Sequence, residues 1–289
     1  MAYLFTMKFI SSFTIIILFL LQSISIAQST IKFEGTVIDA DSKKPIPLAS
    51  IGLPKLNIGT ASRMDGSFLL NLSREFKKDT LQISAVGYHT KKYPIHSFED
   101  DNNITVYLVP RTYQMDEITV TDRERKTKWI GKMISPILSA SLGIWTHPDR
   151  LGAAFAFKVK WKKQLPLQIL YSRTFVERNT HSPVHIRCGL AEVDPNTGLP
   201  SHEFHPQTID ITTTTQKDWA TCDFRNQNLY VDAEEFFVVF EWLTPQDERI
   251  IPMIATTPFF KSDTYYRHHA LAEWKKSSTD LIYSVKVAY

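Results

Sequence analysis

The feature that most constrains the fold is the regular spacing of short apolar runs between Phe33 and Tyr88. The clearest runs cover residues 36–38, 49–51, 67–70 and 81–84, and a further one follows at 104–108. Turn residues separate them at intervals of about eight to twelve positions, which is typical of antiparallel sandwiches. Asp65-Gly66 is the sharpest turn signal, because a two-residue hairpin of the primed type needs the positive φ that these residues tolerate. Residues 28–110 are therefore predicted to form a small sandwich.

The second half of the chain is also rich in strand-forming residues. Tyr, Phe, Val, Ile and Thr dominate runs such as V-H-I-R-C-G-L-A-E-V and E-F-F-V-V-F-E-W-L, and D-P-N-T-G-L-P reads as a turn. This spacing predicts a second, jelly-roll-like β-sandwich over residues 129–289. Residues 111–128, which contain the charged run R-E-R-K-T-K, are expected to form the linker. The predicted fold class is all-β with two sandwich domains.

The first 27 residues have the layout of a secretory signal peptide. Lys8 precedes an apolar block at 13–21, and Ser25-Ile26-Ala27 places small residues at a cleavage site after Ala27. The alternative of a membrane anchor is disfavoured, because the apolar block is about half of the ~20 residues that a spanning helix needs. The signal could start at Met1 or at Met7. The protein is expected to be exported to the periplasm or the outer membrane, without a transmembrane span after cleavage.

Length and composition bound the function further. Removal of 27 of the 289 residues leaves 262, a length that suits two domains. The net charge of +3 and the absence of a Lys/Arg block with interleaved aromatics argue against nucleic acid as a partner. Cys188 and Cys222 lie in separate strand-like runs, so they could bridge a sandwich or remain as two buried thiols.

The motifs of the first half resemble a known family. G-x-V-x-D, P-L-x-x-A-x-I, G-T, D-G-x-F and the closing I-S-x-x-G-Y are similar to the carboxypeptidase-regulatory-like domain. The resemblance implies a prealbumin-like sandwich of about seven strands, which in that family is an accessory without peptidase activity. The second half resembles, more diffusely, a sandwich domain that accompanies the first one in exported proteins of the Bacteroidetes.

A short segment after the first sandwich has a second resemblance. The residues from Asp116 to Val120 are similar to the segment that outer-membrane transporters offer as a strand to the TonB partner. A transporter needs a plug and a large barrel, and only 169 residues (289 minus 120) follow Val120. An interdomain strand and linker is therefore the favoured interpretation, and the docking strand stays an alternative.

No catalytic constellation is evident. The chain lacks G-x-S-x-G, G-x-G-x-x-G and P-loop patterns, so no catalytic residues, cofactor or metal are predicted. His202, Glu203 and His205 form the densest cluster of possible ligands, and an alternative hydrolase hypothesis places a metal site there. Pro200 and Pro206 bracket this cluster and indicate an irregular loop, in which histidines are usually just solvated.

Aromatic residues supply the one binding hypothesis. Five tryptophans lie in the second half, namely Trp145, Trp161, Trp219, Trp242 and Trp274. Trp219 and Trp242 are expected in the core, because they lie in apolar strands. Trp145 lies in the loop G-I-W-T-H-P-D-R and is the better candidate for a platform that stacks on sugars. The sequence thus predicts an exported, non-enzymatic binding or scaffolding protein of the cell envelope, with a polysaccharide or an envelope protein as partner.

Overall fold

The computed structural model describes residues 30–98, 103–111, 125–132, 140–143, 151–162, 166–178, 183–215, 217–243, 253–257 and 263–289. The predicted signal peptide, Trp145 and the segment from Asp116 to Val120 lie outside these residues. Within the described ranges, no helix combines the length and the apolarity that crossing a membrane requires.

Seven strands make up the first sandwich, as the sequence predicts. They are β1 (Thr30–Asp39), β2 (Ser50–Leu53), β3 (Ile58–Ala61), β4 (Ser67–Ser73), β5 (Thr80–Ser84), β6 (Lys91–Pro94) and β7 (Asn103–Leu108). One sheet has the order β4-β1-β7 and the other has the order β3-β2-β5-β6. Strand β1 is antiparallel to β4 and parallel to β7. Strands β3 and β6 are too short to give a clear alternation in the sequence.

The core of the first sandwich follows from the period of two in its strands. Alternate residues of β1 point to one face, so Phe33 and Val37 are buried while their neighbours are not. Val37 lies opposite Val106 of β7, and both are fully buried. Each such aliphatic side chain contributes about 1.5–3 kcal/mol through its removal from water.

Two family motifs meet in one hydrogen bond. Tyr88, from I-S-x-x-G-Y, donates its hydroxyl to the carboxylate of Asp39, from G-x-V-x-D, at 2.7 Å. The same carboxylate accepts backbone N–H groups of Asp41 and Ser42. The Tyr88 hydroxyl, followed by the Ser42 backbone, lowers the pKa of Asp39 to about 2, and burial raises the pKa of Tyr88 to about 12.

The Asp65-Gly66 turn is present, but it is not a hairpin of the primed type. The strands it connects belong to different sheets, since β3 pairs with β2 and β4 pairs with β1. Gly66 has a φ of +76°, and its N–H donates to the carbonyl of Arg63. The turn therefore carries the chain from one sheet to the other, and glycine is needed at its left-handed position.

The second sandwich holds the remaining strands of the described residues. They are β8 (Thr127–Lys132), β9 (Ala140–Gly143), β10 (Ala153–Lys160), β11 (Leu167–Arg178), β12 (Val184–Val193), β13 (Pro200–Phe204), β14 (Ile209–Thr213), β15 (Asp218–Asp223), β16 (Tyr230–Val231), β17 (Glu235–Trp242), β18 (Met253–Thr257), β19 (Thr264–Arg267), β20 (Lys275–Lys276), β21 (Asp280–Leu281) and β22 (Tyr283–Ala288). The inner sheet has the order β13-β12-β17-β10-β19-β20, with β14 on β12. The outer sheet has the order β21-β18-β11-β22-β8, with β15 and β16 on β11 and β9 on β18.

Side chains from both of these sheets fill one core. Phe157 of β10 stacks on Tyr283 of β22 with ring centroids 4.0 Å apart. Cys188 of β12 and Cys222 of β15 also face this core as fully buried free thiols. A hydrogen bond with the Cys188 thiol, together with burial, raises the pKa of Cys222. Trp242 is 1% exposed, which confirms its predicted core position.

The two sandwiches contact each other through side chain to backbone hydrogen bonds and through one close approach of backbone. The Nε2 atom of His269 lies 2.9 Å from the carbonyl oxygen of Asn57. The Asn57 side chain accepts the backbone N–H of Glu273 at 3.0 Å. A Cβ atom on Gly59 would lie 2.1 Å from the carbonyl oxygen of Ala270, so only glycine permits this approach. The inner sheet of the second sandwich is therefore the one that faces the first.

Candidate functional site

The predicted ligand cluster is a strand and not a loop. Pro200 to Phe204 form β13 on the edge of the inner sheet, so the prediction of an irregular loop is wrong. Pro200 is tolerated because it stands at the first position of this edge strand. Successive side chains of a strand point to opposite faces, which separates His202 from Glu203.

The three predicted ligands consequently have different surroundings. The Nδ1 atom of His202 is buried without a hydrogen-bond partner. Glu203 forms an ion pair with Arg111 at 3.2 Å, and the Nδ1 atom of His205 accepts the backbone N–H of Gln207 at 3.3 Å. No group of three His, Cys, Asp or Glu side chains suited to a metal occurs among the described residues. The geometry of this part of the chain does not support the metal-hydrolase alternative.

His202 and Glu203 instead line a small cavity between the two sandwiches. The cavity has a volume of ≈ 30 Å³, which is room for about two water molecules. The first sandwich contributes Leu48, Ser50, Thr90 and residues 84–88 to its wall, and the second contributes Arg187, His202, Glu203, Phe204, Glu241 and Arg267. Both sandwiches are therefore needed to form the wall of this cavity.

A buried ionic cluster forms the floor of this cavity. Glu241 accepts a hydrogen bond from Nη2 of Arg267 at 2.5 Å and forms an ion pair with Nη1 of Arg187 at 3.6 Å. The three side chains are no more than 10% exposed. Strand register explains the grouping, because Ala154 of β10 lies between Glu241 of β17 and Arg267 of β19. Its small side chain leaves the arginine room to reach the carboxylate.

Two further contacts position the arginines. Arg187 donates its Nε–H to Asp210 at 3.1 Å and its Nη1–H to the carbonyl of Leu48, which belongs to the first sandwich, at 3.4 Å. The guanidinium carbon of Arg267 lies 5.4 Å from the ring centre of Phe204 and 5.0 Å from that of Trp274. Arg267 is thus held between two aromatic rings as well as by Glu241.

Burial and charge tune the titratable groups of the cavity. Burial, aided by the cation of Arg267, lowers the pKa of His202 to about 4. Burial also lowers the pKa of Arg267, and the nearby Glu241 opposes that shift. His202 is therefore neutral near pH 7, whereas an arginine side chain keeps its proton in proteins.

Hydrophobic periodicity does not reveal this cluster, although the charged residues themselves carry a signal in the sequence. Arg187 and Glu241 are charges with apolar neighbours inside β12 and β17, and Arg267 is a buried charge at the end of β19. Charged residues are almost never fully buried unless they are paired. Isolated charges in three buried strands therefore indicate that those strands lie close together.

A second feature lies on the outer sheet, and we call it the aromatic face. It consists of three rings and three cations, namely Trp129, Tyr171, Trp219, Arg173 and Lys286 on neighbouring strands and Arg225 in the short 3-10 helix after β15. The guanidinium carbon of Arg173 lies 4.1 Å from the ring centre of Trp129 and 4.2 Å from that of Trp219. All six side chains are half-buried or exposed. Cations and rings therefore alternate across this sheet.

The aromatic face is held in place by pairs across the strands. Arg173 donates its Nε–H to the hydroxyl of Ser284 at 2.7 Å. Tyr171 stacks on Trp129 with ring centroids 6.3 Å apart. The guanidinium carbon of Arg225 lies 4.9 Å from the ring centre of Tyr171. These contacts limit the rotamers of the rings before any ligand arrives, which lowers the entropy cost of binding.

The tryptophans only partly follow the sequence predictions. Trp219 packs on Phe175 at its base but stays half-buried on the outer face, so its predicted core position is wrong. Trp129, which is not among the tryptophans considered from the sequence, lies in β8 at the edge of the outer sheet. Trp145 lies outside the described residues, and its role as a platform stays a prediction.

Comparison with known proteins identifies the first sandwich. Residues 33–120 match the CarboxypepD_reg-like domain family. The first sandwich is a carboxypeptidase-regulatory-like domain. The pair formed by Asp39 and Tyr88 within this domain joins the first and last motifs of the matched segment. A search of curated proteins finds no significant match.

Similar solved structures include two of Cwp84 from Clostridium difficile. The structure of the cysteine protease and lectin-like domains of that surface layer associated protein is 8% identical, covers 47% of this chain and 32% of its own, and has a TM-score of 0.36. The Cwp84 protease after propeptide cleavage is 7% identical, with coverages of 56% and 40% and a TM-score of 0.40. This chain thus spans well under half the length of the Cwp84 structures.

A third similar structure comes from a virus and has a lower TM-score. The structure of infectious bursal disease virus Gt strain is 9% identical, covers 90% of this chain and 62% of its own, and has a TM-score of 0.25. At TM-scores this low, none of the three likenesses assigns a ligand or an activity to the chain that carries the regulatory-like domain.

Proposed function

We propose that this chain is an exported, non-enzymatic binding protein of the cell envelope, and that the aromatic face of its second sandwich binds an acidic polysaccharide. The alternation of Trp129, Arg173 and Trp219 at separations near 4 Å carries the proposal. The regulatory-like domain serves as an accessory that packs against the inner sheet, on the side opposite the aromatic face.

The chemistry of the aromatic face suits sugars that carry carboxylates. Half-buried Trp and Tyr rings present apolar surface that sugar C–H groups can cover. Arg173 and Lys286, set between those rings, add positive charge to the aromatic face. Guanidinium groups bind carboxylates through charge-assisted hydrogen bonds, which are stronger than neutral ones. Rings and cations together favour an acidic glycan over a neutral one.

Binding of polysaccharides can be tested by affinity electrophoresis through gels that contain alginate, polygalacturonate or neutral dextran. We expect the acidic gels to retard the mature protein and dextran to leave it unaffected. Tyr171→Ala and Trp129→Ala should each abolish most of the retardation. Tyr107→Ala is the matched control, because Tyr107 is 42% exposed and lies under the Lys43 ammonium at 5.1 Å in the first sandwich. Equal migration of all variants in every gel would exclude the aromatic face as a glycan site.

The exported location rests on the signal peptide predicted at residues 1–27. Expression of the full chain in a bacterial host should yield a periplasmic product that begins at Gln28. Intact-mass analysis of that product gives the cleavage position directly. A cytoplasmic product that retains its first residues would contradict this part of the proposal.

A further inference from the structure

The cavity between the two sandwiches contains an incompletely compensated cation. Arg267 is 3% exposed, and its Nε and Nη1 atoms have no hydrogen-bond partner. Its remaining nitrogen, Nη2, donates to Glu241. A buried charged donor without an acceptor costs several kcal/mol, so such an atom in a native protein calls for a ligand or an ordered solvent molecule.

The charges around Arg267 do not balance within the buried region. Arg187 and Arg267 share a single buried carboxylate, that of Glu241. Asp210 also pairs with Arg187, but its side chain is 54% exposed, so solvent weakens its contribution. Glu203 lies at the rim, 62% exposed, and is engaged by Arg111. The side of the cavity formed by Arg267 therefore keeps a positive potential.

Other groups of the wall are compatible with an anion. His202 is neutral near pH 7 and adds no compensating negative charge, and its buried Nδ1 atom is free to accept or donate. The first sandwich brings the hydroxyl-bearing side chains of Ser50 and Ser84 to the opposite wall. At ≈ 30 Å³ the cavity admits a group of a few atoms and excludes a sugar or a peptide.

We propose that this cavity binds one small monovalent anion, of the size of chloride or formate, against the guanidinium of Arg267. The anion supplies the second negative charge that the two buried arginines lack. Because the wall is built from both sandwiches, a bound anion also strengthens their contact. The site is separate from the aromatic face, which lies on the other sheet.

Thermal unfolding at constant ionic strength tests the proposal. In this titration, chloride or formate is substituted stepwise, up to 100 mM, for a bulky anion such as a buffer sulfonate. For a dissociation constant near 10 mM we expect a saturable rise in Tm of about 4 °C. A Tm that is independent of the anion, or that rises without saturation for large and small anions alike, overturns the proposal.

Two arginine variants isolate the site. Arg267→Met leaves Arg187 and Glu241 as a one-to-one pair, so the variant keeps a balanced buried charge and should fold. It should lose the anion-dependent rise in Tm. Arg74→Met is the control, since Arg74 is exposed and belongs neither to the cavity wall nor to the aromatic face, and it should keep the rise. An unchanged anion response in Arg267→Met contradicts the assignment.

A measurement on the unmodified protein covers the case in which Arg267→Met does not fold. Crystals grown with bromide in place of chloride should show an anomalous peak in the cavity beside Arg267. Density that refines as water alone, with no anomalous peak, overturns the proposal.

Discussion

Replacement of Glu241 by glutamine should be among the most destabilising isosteric changes in the second sandwich. Glu241 is 3% exposed and neutralises two buried guanidinium groups, at 2.5 Å from Arg267 and 3.6 Å from Arg187. Glutamine keeps the shape and one hydrogen-bond acceptor but removes the charge. Breaking a buried ion pair from one side costs about 3–5 kcal/mol, and the retained acceptor places the expected loss near ~3 kcal/mol.

Chemical and thermal denaturation provide the assay. A loss of ~3 kcal/mol corresponds to a fall in Tm of about 6–12 °C for a domain of this size. Glu235→Gln is the matched control, because Glu235 lies on the same strand, is 46% exposed and pairs with Lys158 at 3.2 Å. That exposed pair should contribute less than about 1 kcal/mol. If the two variants unfold within 1 kcal/mol of each other, roughly the error of the comparison, the cluster is not the buried charge network described above.

Three further predictions concern acid stability, thiol reactivity and the contact between the sandwiches. His202 has a folded pKa of about 4 against 6.5 when unfolded, so stability is lost as pH falls from 6.5 to 4. His202→Gln should remove about 3 kcal/mol of that loss, whereas exposed His89→Gln should leave the loss in place. Cys188 and Cys222 should react with a thiol reagent only after unfolding, and a mass 2 Da lower in the mature protein, the signature of a disulfide, would contradict the free thiols. Gly59→Ala places a Cβ atom 2.1 Å from a backbone carbonyl of the second sandwich, so it should increase proteolysis between the sandwiches, and an unchanged digestion pattern would refute that contact.

The sequence predicts the first sandwich well because local rules determine it. Alternation places Val37, Leu70 and Ile83 in the core, and the motif residues Asp39 and Tyr88 both lie within the segment that the family match covers. The periodicity that marks a strand can be read from the sequence without knowing which strands pair with each other. The route of the chain at Gly66 was not predictable in the same way, because tertiary packing decides which sheet the next strand joins.

The two candidate sites depend on long-range pairing, which periodicity does not encode. Trp129, Tyr171 and Trp219 are distant in the chain and meet only because β8, β22, β11 and β15 are neighbours in one sheet. The cavity requires, in addition, that the two sandwiches dock. His202 and Glu203 were identified as binding candidates from composition alone, and both line the cavity, although the strand separates them by face.

Binding of an acidic polysaccharide by the aromatic face can be localised by hydrogen–deuterium exchange. Exchange should be measured on the mature protein with and without saturating alginate or polygalacturonate, whichever retards it in the gel. We expect slower exchange in β8, β11, β15 and β22 and no change in the first sandwich. Protection confined to other strands, or no protection by either polysaccharide, would contradict it.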